Sequence, residues 1–221
     1  MTTVGFIGSG HIGGTVARLS VAAGYRVILS NSRGPQTLTE LAGDLGPLAA
    51  AGPAEQAAGG DVVVVSIPFH AYRSVPAAPL DGQPVIDTCN YYPERDGQVA
   101  ELDSGSVTSS ELIQRHLAAA RVVKGFNNIF YQHLLSLSRP PGAADRSFLP
   151  IAGDDADAKA EVTTFLDAIG YGAVDVGALA ESWRQEPGTP VYGPPYGSFS
   201  DPAGTPAGEA TIRAALAAAS R

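Results

Sequence analysis

A glycine-rich loop near the start of the chain constrains the fold more than any other feature of the sequence. The run Gly8-Ser9-Gly10-His11-Ile12-Gly13 fits the pattern G-x-G-x-x-G. It follows a strand-like segment and precedes a helical one, which is the setting of this pattern in dinucleotide-binding folds. There, Gly8 permits a tight turn, Gly10 lets a pyrophosphate approach the backbone, and Gly13 lets helix and strand pack closely. The sequence therefore predicts a phosphate-binding loop, with a tight turn that binds no ligand as the alternative.

Apolar runs and helical stretches alternate along the rest of the chain. The run Val62-Val63-Val64-Val65 is hydrophobic on both faces, as is typical of parallel strands that helices cover on both sides. Strands are predicted at 4–8, 26–31, 47–51, 61–68, 84–90, 121–128, 148–153 and 171–177. Helices are predicted at 12–23, 35–45, from 53 (short), from 129 to about 137, and at 109–119, 155–169 and 208–220. This order predicts an α/β fold with a doubly wound parallel sheet of the Rossmann type.

The end of the second predicted strand indicates which dinucleotide binds. A site that prefers NAD usually has Asp or Glu there to accept a hydrogen bond from the ribose 2′-hydroxyl. This chain has Asn31-Ser32-Arg33 and no carboxylate. Ser32 can donate to a 2′-phosphate, and Arg33 can pair with it through charge-assisted hydrogen bonds. We therefore expect NADP(H), the alternative being that Arg33 is an ordinary surface arginine.

The composition excludes several classes of function. The net charge of −8 disfavours nucleic acid as a partner, since duplex binding needs a basic surface. There is no apolar run long enough to span a membrane and no basic segment typical of a signal peptide, so we expect a soluble, cytoplasmic protein. The single cysteine, Cys89, rules out an internal disulfide and a cysteine-rich zinc site. The four histidines have no metal-ligand spacing, so no metal is predicted.

Two regions leave their roles open at this level. Tyr91 and Tyr92 follow the predicted fifth strand and either wall the nicotinamide pocket, act as an acid, or only pack. Cys89 precedes them with no general base nearby in sequence, which favours an inert thiol over a nucleophile. No catalytic residue can be named from the sequence.

Several segments together resemble the NADPH-dependent reductases of coenzyme F420, a deazaflavin. They are Val4–Gly14, Asn31-Ser32-Arg33, Ser66-Ile67-Pro68, Ile151–Asp155 and Val174–Leu179. Val122–Asn128 and Pro150–Trp183 also resemble the cytosolic oxidoreductase domain of the six-transmembrane (STEAP-type) metalloreductases, which bind NADPH and pass hydride to a flavin. The resemblance covers most of residues 3–186.

The resemblance implies a role for each matching residue. The pyrophosphate would be held by Gly8, Ser9, Gly10, His11 and Ile12, and the 2′-phosphate end by Asn31, Ser32 and Arg33. The adenosine and ribose would lie along Ser66, Ile67 and Pro68, and the nicotinamide near Asn90 and Asn127. The acceptor would contact residues near Pro150–Ile151 and the C-terminal segment.

We predict two regions within the chain, divided where Arg139-Pro140-Pro141-Gly142 interrupts it. Residues 1–140 would be the NADP-binding Rossmann domain, and residues 141–221 a small C-terminal α/β region for acceptor binding and dimerisation, with an extension of the first sheet as the alternative. The latter contains a Pro-rich arm, Pro187–Pro206, with Tyr192, Tyr196 and Phe199. We expect this arm to cross to a second subunit of a homodimer and to wall the acceptor pocket. The alternative is an arm folded back on its own subunit.

The resemblance predicts an NADPH-dependent oxidoreductase that transfers hydride between NADPH and F420 or a flavin such as FMN or FAD. Such chemistry demands few acids or bases from the protein, because the cofactors carry it. A first alternative is a reductase of a small imine or carbonyl substrate, which would need a proton donor such as Tyr91 or Tyr92. A second is a non-enzymatic NADP(H)-binding sensor, in which the nicotinamide pocket would be blocked and the arm would dock a partner.

Overall fold

One sheet of eight strands organises the chain, whose residues 1–221 are all described by a computed structural model. The strands are β1 Thr3–Ile7, β2 Arg26–Ser30, β3 Ala49–Ala51, β4 Val62–Val65, β5 Pro84–Asp87, β6 Arg121–Lys124, β7 Phe148–Gly153 and β8 Gly172–Gly177. Their spatial order is β3-β2-β1-β4-β5-β6-β7-β8. All four residues of β4 are buried, as its doubly hydrophobic run predicts. The predicted doubly wound α/β fold is confirmed.

Helices cover the sheet and connect its strands. The α-helices are α1 His11–Ala22, α2 Thr39–Leu45, α3 Ala54–Ala58, α4 Pro93–Asp96, α5 Ala100–Asp103, α6 Ser109–His116, α7 Tyr131–Ser136, α8 Ala156–Ala168 and α9 Glu209–Ala217. Short 3₁₀ helices lie at Pro35–Leu38, Phe69–Ser74, Ala78–Leu80, Leu179–Gln185 and Pro194–Tyr196. None of the helices combines the length and the apolar character needed to cross a bilayer.

Three strands near the centre of the sheet end earlier than the sequence predicts. β4, predicted over 61–68, stops at Val65. β5 stops at Asp87, whose carboxylate accepts a hydrogen bond from the backbone N–H of Cys89 at 2.8 Å and turns the chain. β6 stops at Lys124, and Phe126 two residues later has a φ of 59°, in the left-handed region that extended strands do not use. The segments 88–90 and 125–128 are therefore loops at the carboxyl edge of the sheet.

The C-terminal third of the chain continues the same sheet. β7 pairs with β6, but antiparallel, with Val123 opposite Gly153 and Lys124 opposite Ala152. β8 then lies parallel to β7. The sheet is thus mostly parallel, and it runs unbroken past residue 140. The division there into two regions stays a prediction about folding units.

The Pro-rich arm packs on its own chain. Tyr196 is fully buried, and its hydroxyl donates to the Phe148 carbonyl at 2.9 Å and accepts from the Asn128 amide at 3.3 Å. Val191 is also fully buried. The prediction that the arm crosses to a second subunit is therefore wrong for this fold, because the buried apolar area and the hydrogen bonds of Tyr196 are satisfied within one chain.

Candidate active site

A cleft of about 690 Å³ opens at the carboxyl ends of the central strands. This volume is within the range of small-molecule sites, and its position is where ligands bind in open α/β sheets. Its lining includes these residues predicted from the sequence: Gly10, His11, Ile12, Ser66, Ile67, Pro68, Asn90 and Asn127. The folding of the chain thus brings four separate predicted segments to one cavity.

Glycine is needed at the three positions of the loop for different structural reasons. Gly8 has a φ of +97°, and a Cβ there would lie 2.1 Å from the Ser66 carbonyl oxygen. A Cβ on Gly13 would lie 2.2 Å from the Gly8 carbonyl oxygen. At Gly10, by contrast, a Cβ would meet no protein atom within 4 Å. Packing of the protein requires glycine at positions 8 and 13, whereas at Gly10 only a ligand in the cleft would require it.

The loop also leaves the start of α1 open to an anion. Gly10 is the N-cap residue and has no side chain to bond the first N–H groups of the helix. These donors point out of the helix end, where the macrodipole favours negative charge. Ser9 lies beside the cleft, with its hydroxyl donating to the Ser30 carbonyl at 3.0 Å.

The segment after β2 forms a turn at the surface, and Asn31, Ser32 and Arg33 are not among the residues that line the cleft. The Asn31 side chain accepts from the backbone N–H of Arg33 and donates to the Thr37 hydroxyl, both at 2.9 Å. Ser32 and Arg33 are exposed. The Arg33 guanidinium pairs with no group of the protein, unlike most arginines of this chain. It is therefore available to an anionic ligand.

Two asparagines close the inner end of the cleft. The Asn90 amide donates to the Asn127 carbonyl at 2.8 Å, and the Asn127 amide donates to the Asn90 side-chain oxygen at 3.0 Å. Asn127 is held in turn by Gln185, whose backbone carbonyl accepts from it at 2.7 Å. The sequence placed both asparagines at strand ends, and the structure locks them together.

An aromatic wall lines part of the cleft and reaches the glycine loop at one end. It consists of Tyr92, Phe130, Tyr131, Tyr192 and Phe199. The ring of His11 stacks on that of Tyr131 with centroids 4.3 Å apart. Sequence reasoning missed Phe130 and Tyr131, although two adjacent aromatics just after the segment predicted as a strand, 121–128, were a signal. The prediction that arm residues line the cleft agrees with the placement of Tyr192 and Phe199, which come from the same chain.

The neighbouring tyrosines Tyr91 and Tyr92 point to different places. The Tyr91 hydroxyl donates to Asp103 at 2.7 Å and lies outside the cleft. The Tyr92 hydroxyl hydrogen-bonds the Tyr192 hydroxyl within it. Burial, and then the hydrogen bond with Tyr92, raise the pKa of Tyr192 well above its ordinary value.

A buried ion pair lies beneath the cleft. Lys124 and Asp87 are fully buried and face each other across β5 and β6, with Nζ 3.1 Å from Oδ2. Ser110 also donates to this carboxylate, at 2.7 Å, and Lys124 donates to the Cys89 carbonyl. Burial raises the pKa of the Cys89 thiol, which favours the inert interpretation. Sequence reasoning missed the pair, which the ends of adjacent strands could have suggested.

Comparison with known proteins places the chain in a family. The profile of the family described as NADP oxidoreductase, coenzyme F420-dependent, matches residues 3–91. The chain is also 30% identical to the hypothetical protein SMa0349 of Sinorhizobium meliloti, over 86% of this chain and 93% of that protein, with a TM-score of 0.75. The chain belongs to this family of F420-dependent NADP oxidoreductases. It is therefore an NADP-dependent oxidoreductase, and the resemblance seen in the sequence is confirmed.

Two further proteins are similar to the chain, one in fold and one over a short stretch of sequence. A protein of Arthrobacter sp. FB24, provisionally described as an F420-dependent NADP reductase, has the same fold, with 23% identity, coverage of 82% of this chain and 87% of that one, and a TM-score of 0.68. The protein YjhV of Escherichia coli (strain K12) is 40% identical over 53 residues. That match covers 24% of this chain and only 39% of YjhV.

We expect Arg33→Ala to weaken NADPH binding far more than NADH binding. Loss of a charge-assisted bond to the 2′-phosphate costs about 1.5–3 kcal/mol, or about 10- to 150-fold in the dissociation constant. NADH lacks that phosphate, so its affinity should change by less than about twofold. Fluorescence titration measures both constants. Arg26→Ala is the matched control, because Arg26 is exposed at the opposite end of the same strand. Equal losses for the two cofactors would contradict the assignment.

Proposed function

We propose that this family member transfers hydride between NADP(H) and a deazaflavin, coenzyme F420, or a flavin such as FMN or FAD. The observation that carries the proposal is the single cleft that joins the open loop at Gly10 to the aromatic wall through Asn90 and Asn127. A dinucleotide and a planar acceptor need such a shared cavity, because hydride passes only between atoms in contact.

The cofactor end of the cleft fits NADP(H). Its loop, 8–12, would bind the pyrophosphate with the free N–H groups at the start of α1, and the open space at Gly10 leaves room for it. Ser32 and Arg33 would bind the 2′-phosphate on the turn that Asn31 holds. Ser66, Ile67 and Pro68 would lie along the adenosine and ribose, and Asn90 and Asn127 beside the nicotinamide.

The acceptor end fits a flat conjugated ring. Tyrosine and phenylalanine side chains stack on planar ring systems and exclude water from them. The arm contributes Tyr192 and Phe199 to this end, so the C-terminal region would bind the acceptor as the sequence suggested. When bound, NADPH supplies the hydride. The protein supplies distance, orientation and a dry cavity.

A second candidate is reduction of a small imine or carbonyl compound. It is favoured by the hydroxyls of Tyr92 and Tyr192, which lie in the cleft where a carbonyl oxygen would need a proton. The non-enzymatic sensor is disfavoured, because it requires a blocked nicotinamide pocket and this cleft is open.

Mixing the protein with NADPH and one acceptor at a time separates these functions. We expect oxidised F420, FMN or FAD to be reduced, which visible absorbance follows directly. Reduction of only a cyclic imine or a small aldehyde would replace the proposal with the second candidate. Binding of NADPH with no acceptor reduced would favour the sensor.

A homodimer and a cytoplasmic location remain predictions. Because the arm packs on its own chain, a dimer would form through other surfaces. Light scattering of the purified protein measures its oligomeric state, and fractionation of the source cells shows its location.

A further inference from the structure

Two phenol groups meet inside the cleft although they are 100 residues apart in the chain. Tyr92 follows β5 at the start of α4, and Tyr192 lies on the arm. Their hydroxyls hydrogen-bond each other, and both side chains line the cavity. Only the folding of the arm onto its own chain creates this pair. Hydride transfer itself makes no use of it.

The hydrogen bonds around the pair indicate which hydroxyl can release a proton. The Asn90 amide donates to the Tyr192 oxygen at 3.3 Å. Tyr192 can then donate its own hydrogen to the Tyr92 oxygen, which leaves the Tyr92 hydrogen directed away from the pair. The raised pKa of Tyr192 agrees with this order, since that phenol keeps its proton.

A guanidinium cation lies against the ring of Tyr92. The Arg95 guanidinium carbon is 4.9 Å from the ring centroid. Arg95 is held there by bonds to the Asp96 carboxylate at 2.8 and 2.9 Å and to the Asn90 carbonyl at 2.7 Å. Arg95 is the one charged side chain in the lining of the cleft. Its positive charge would stabilise the negative charge left on Tyr92 after proton release.

The partner of Arg95 is itself fixed in the ionised state. Burial opposes the charge of Asp96, but hydrogen bonds, first among them the one from Arg95, lower the pKa of its carboxyl well below the ordinary value. His70 also contacts this carboxylate, with Nδ1 at 2.9 Å from Oδ1. The Arg95 cation is thus anchored by an ionised carboxylate.

We propose that Tyr92 is the proton donor of the acceptor site and that Tyr192, Asn90 and Arg95 position it. This inference rests on the proposed function and deepens it. When they are reduced, deazaflavins, flavins and carbonyl compounds each gain two electrons and two hydrogens. The first hydrogen leaves the dihydronicotinamide as hydride, with the electron pair of its C–H bond. The second leaves the Tyr92 hydroxyl as a proton and bonds to a nitrogen or oxygen of the acceptor. The Tyr92 phenolate regains a proton from water after the products depart.

The test compares Tyr92→Phe with Tyr91→Phe, the adjacent tyrosine whose hydroxyl lies outside the cleft. Dissociation constants for NADPH, which report the fold and the cofactor end, should stay within about twofold in both variants. In single turnovers with FMN or F420, Tyr92→Phe should be slower by about 100-fold or more, the usual contribution of a general acid. Tyr91→Phe should react at the wild-type rate.

A second readout separates proton donation from packing. If Tyr92 supplies the proton, buffer acid must replace it in Tyr92→Phe, so the rate of this variant should rise with buffer concentration at constant pH. The wild-type rate should not. A Tyr92→Phe rate within about threefold of wild type, or a slow rate that ignores buffer, would overturn the assignment. A wild-type protein that binds NADPH and reduces no acceptor would overturn the proposed function, and this inference with it.

Discussion

Replacement of Gly10 by valine should abolish NADPH binding while the protein keeps its fold. A Cβ at Gly10 meets no protein atom within 4 Å, so the larger side chain has room in the free protein. The valine methyl groups would occupy the space through which a pyrophosphate reaches the backbone N–H groups of α1. Loss of two such bonds, each worth about 1.5–3 kcal/mol, weakens binding by at least about 100-fold. Fluorescence titration measures the affinity, and circular dichroism the fold.

Two other glycines serve as controls for this experiment. Gly43→Val, at an exposed helical position with no neighbour within 4 Å, should preserve both the fold and the affinity for NADPH. Gly13→Val should lower stability strongly, because its Cβ would lie 2.2 Å from the Gly8 carbonyl oxygen. NADPH affinity retained in a folded Gly10→Val protein would show that the loop is only a turn.

Replacement of Lys124 by methionine should cause a large loss of stability. It leaves the fully buried Asp87 carboxylate without its cation, and breaking a buried pair in this way costs about 3–5 kcal/mol. For a chain of this size that corresponds to a fall in melting temperature of about 6–20 °C. Thermal unfolding followed by circular dichroism measures it.

A double variant tests whether the charge is the cause. Lys124→Met combined with Asp87→Asn removes both charges and keeps an acceptor for the Cys89 backbone N–H, while the new amide NH2 group can donate to the Ser110 hydroxyl. It should recover most of the lost stability, because neutral replacements of a buried pair are often tolerated. A single variant within about 1 kcal/mol of wild type would argue against a structural role for the pair.

The glycine loop and the order of strands and helices were predictable because their signals are local. The three glycines of the motif lie within six residues, 8–13, so their spacing can be recognised locally, although the close contact of Gly8 is with the distant Ser66. The burial of β4 is likewise predictable from its own composition, because all four of its residues are valine. The turn at Asn31-Ser32-Arg33 follows from its place at the end of β2, so the expectation of NADP(H) needed no knowledge of the tertiary structure.

Other features depend on contacts that no short segment contains. The direction of β7 is decided by how the chain returns after α7, and the pattern of apolar residues does not encode it. β5 ends early because of the turn at Asp87, and β6 ends early before Phe126 with its left-handed backbone. The buried pair of Asp87 and Lys124 joins the two strand ends.

The sequence by itself determined the fold class and the family of this protein, since their signals are short segments whose residues lie close together in the chain. The tertiary structure alone decided that Tyr92 rather than Tyr91 faces the cleft, and that the arm brings Tyr192 to meet it. The physical reason is the separation along the chain between the residues that interact. Turns and strand periods are set by neighbouring residues, whereas the burial of Tyr196 and the placement of the arm depend on surfaces that meet only after the sheet has formed.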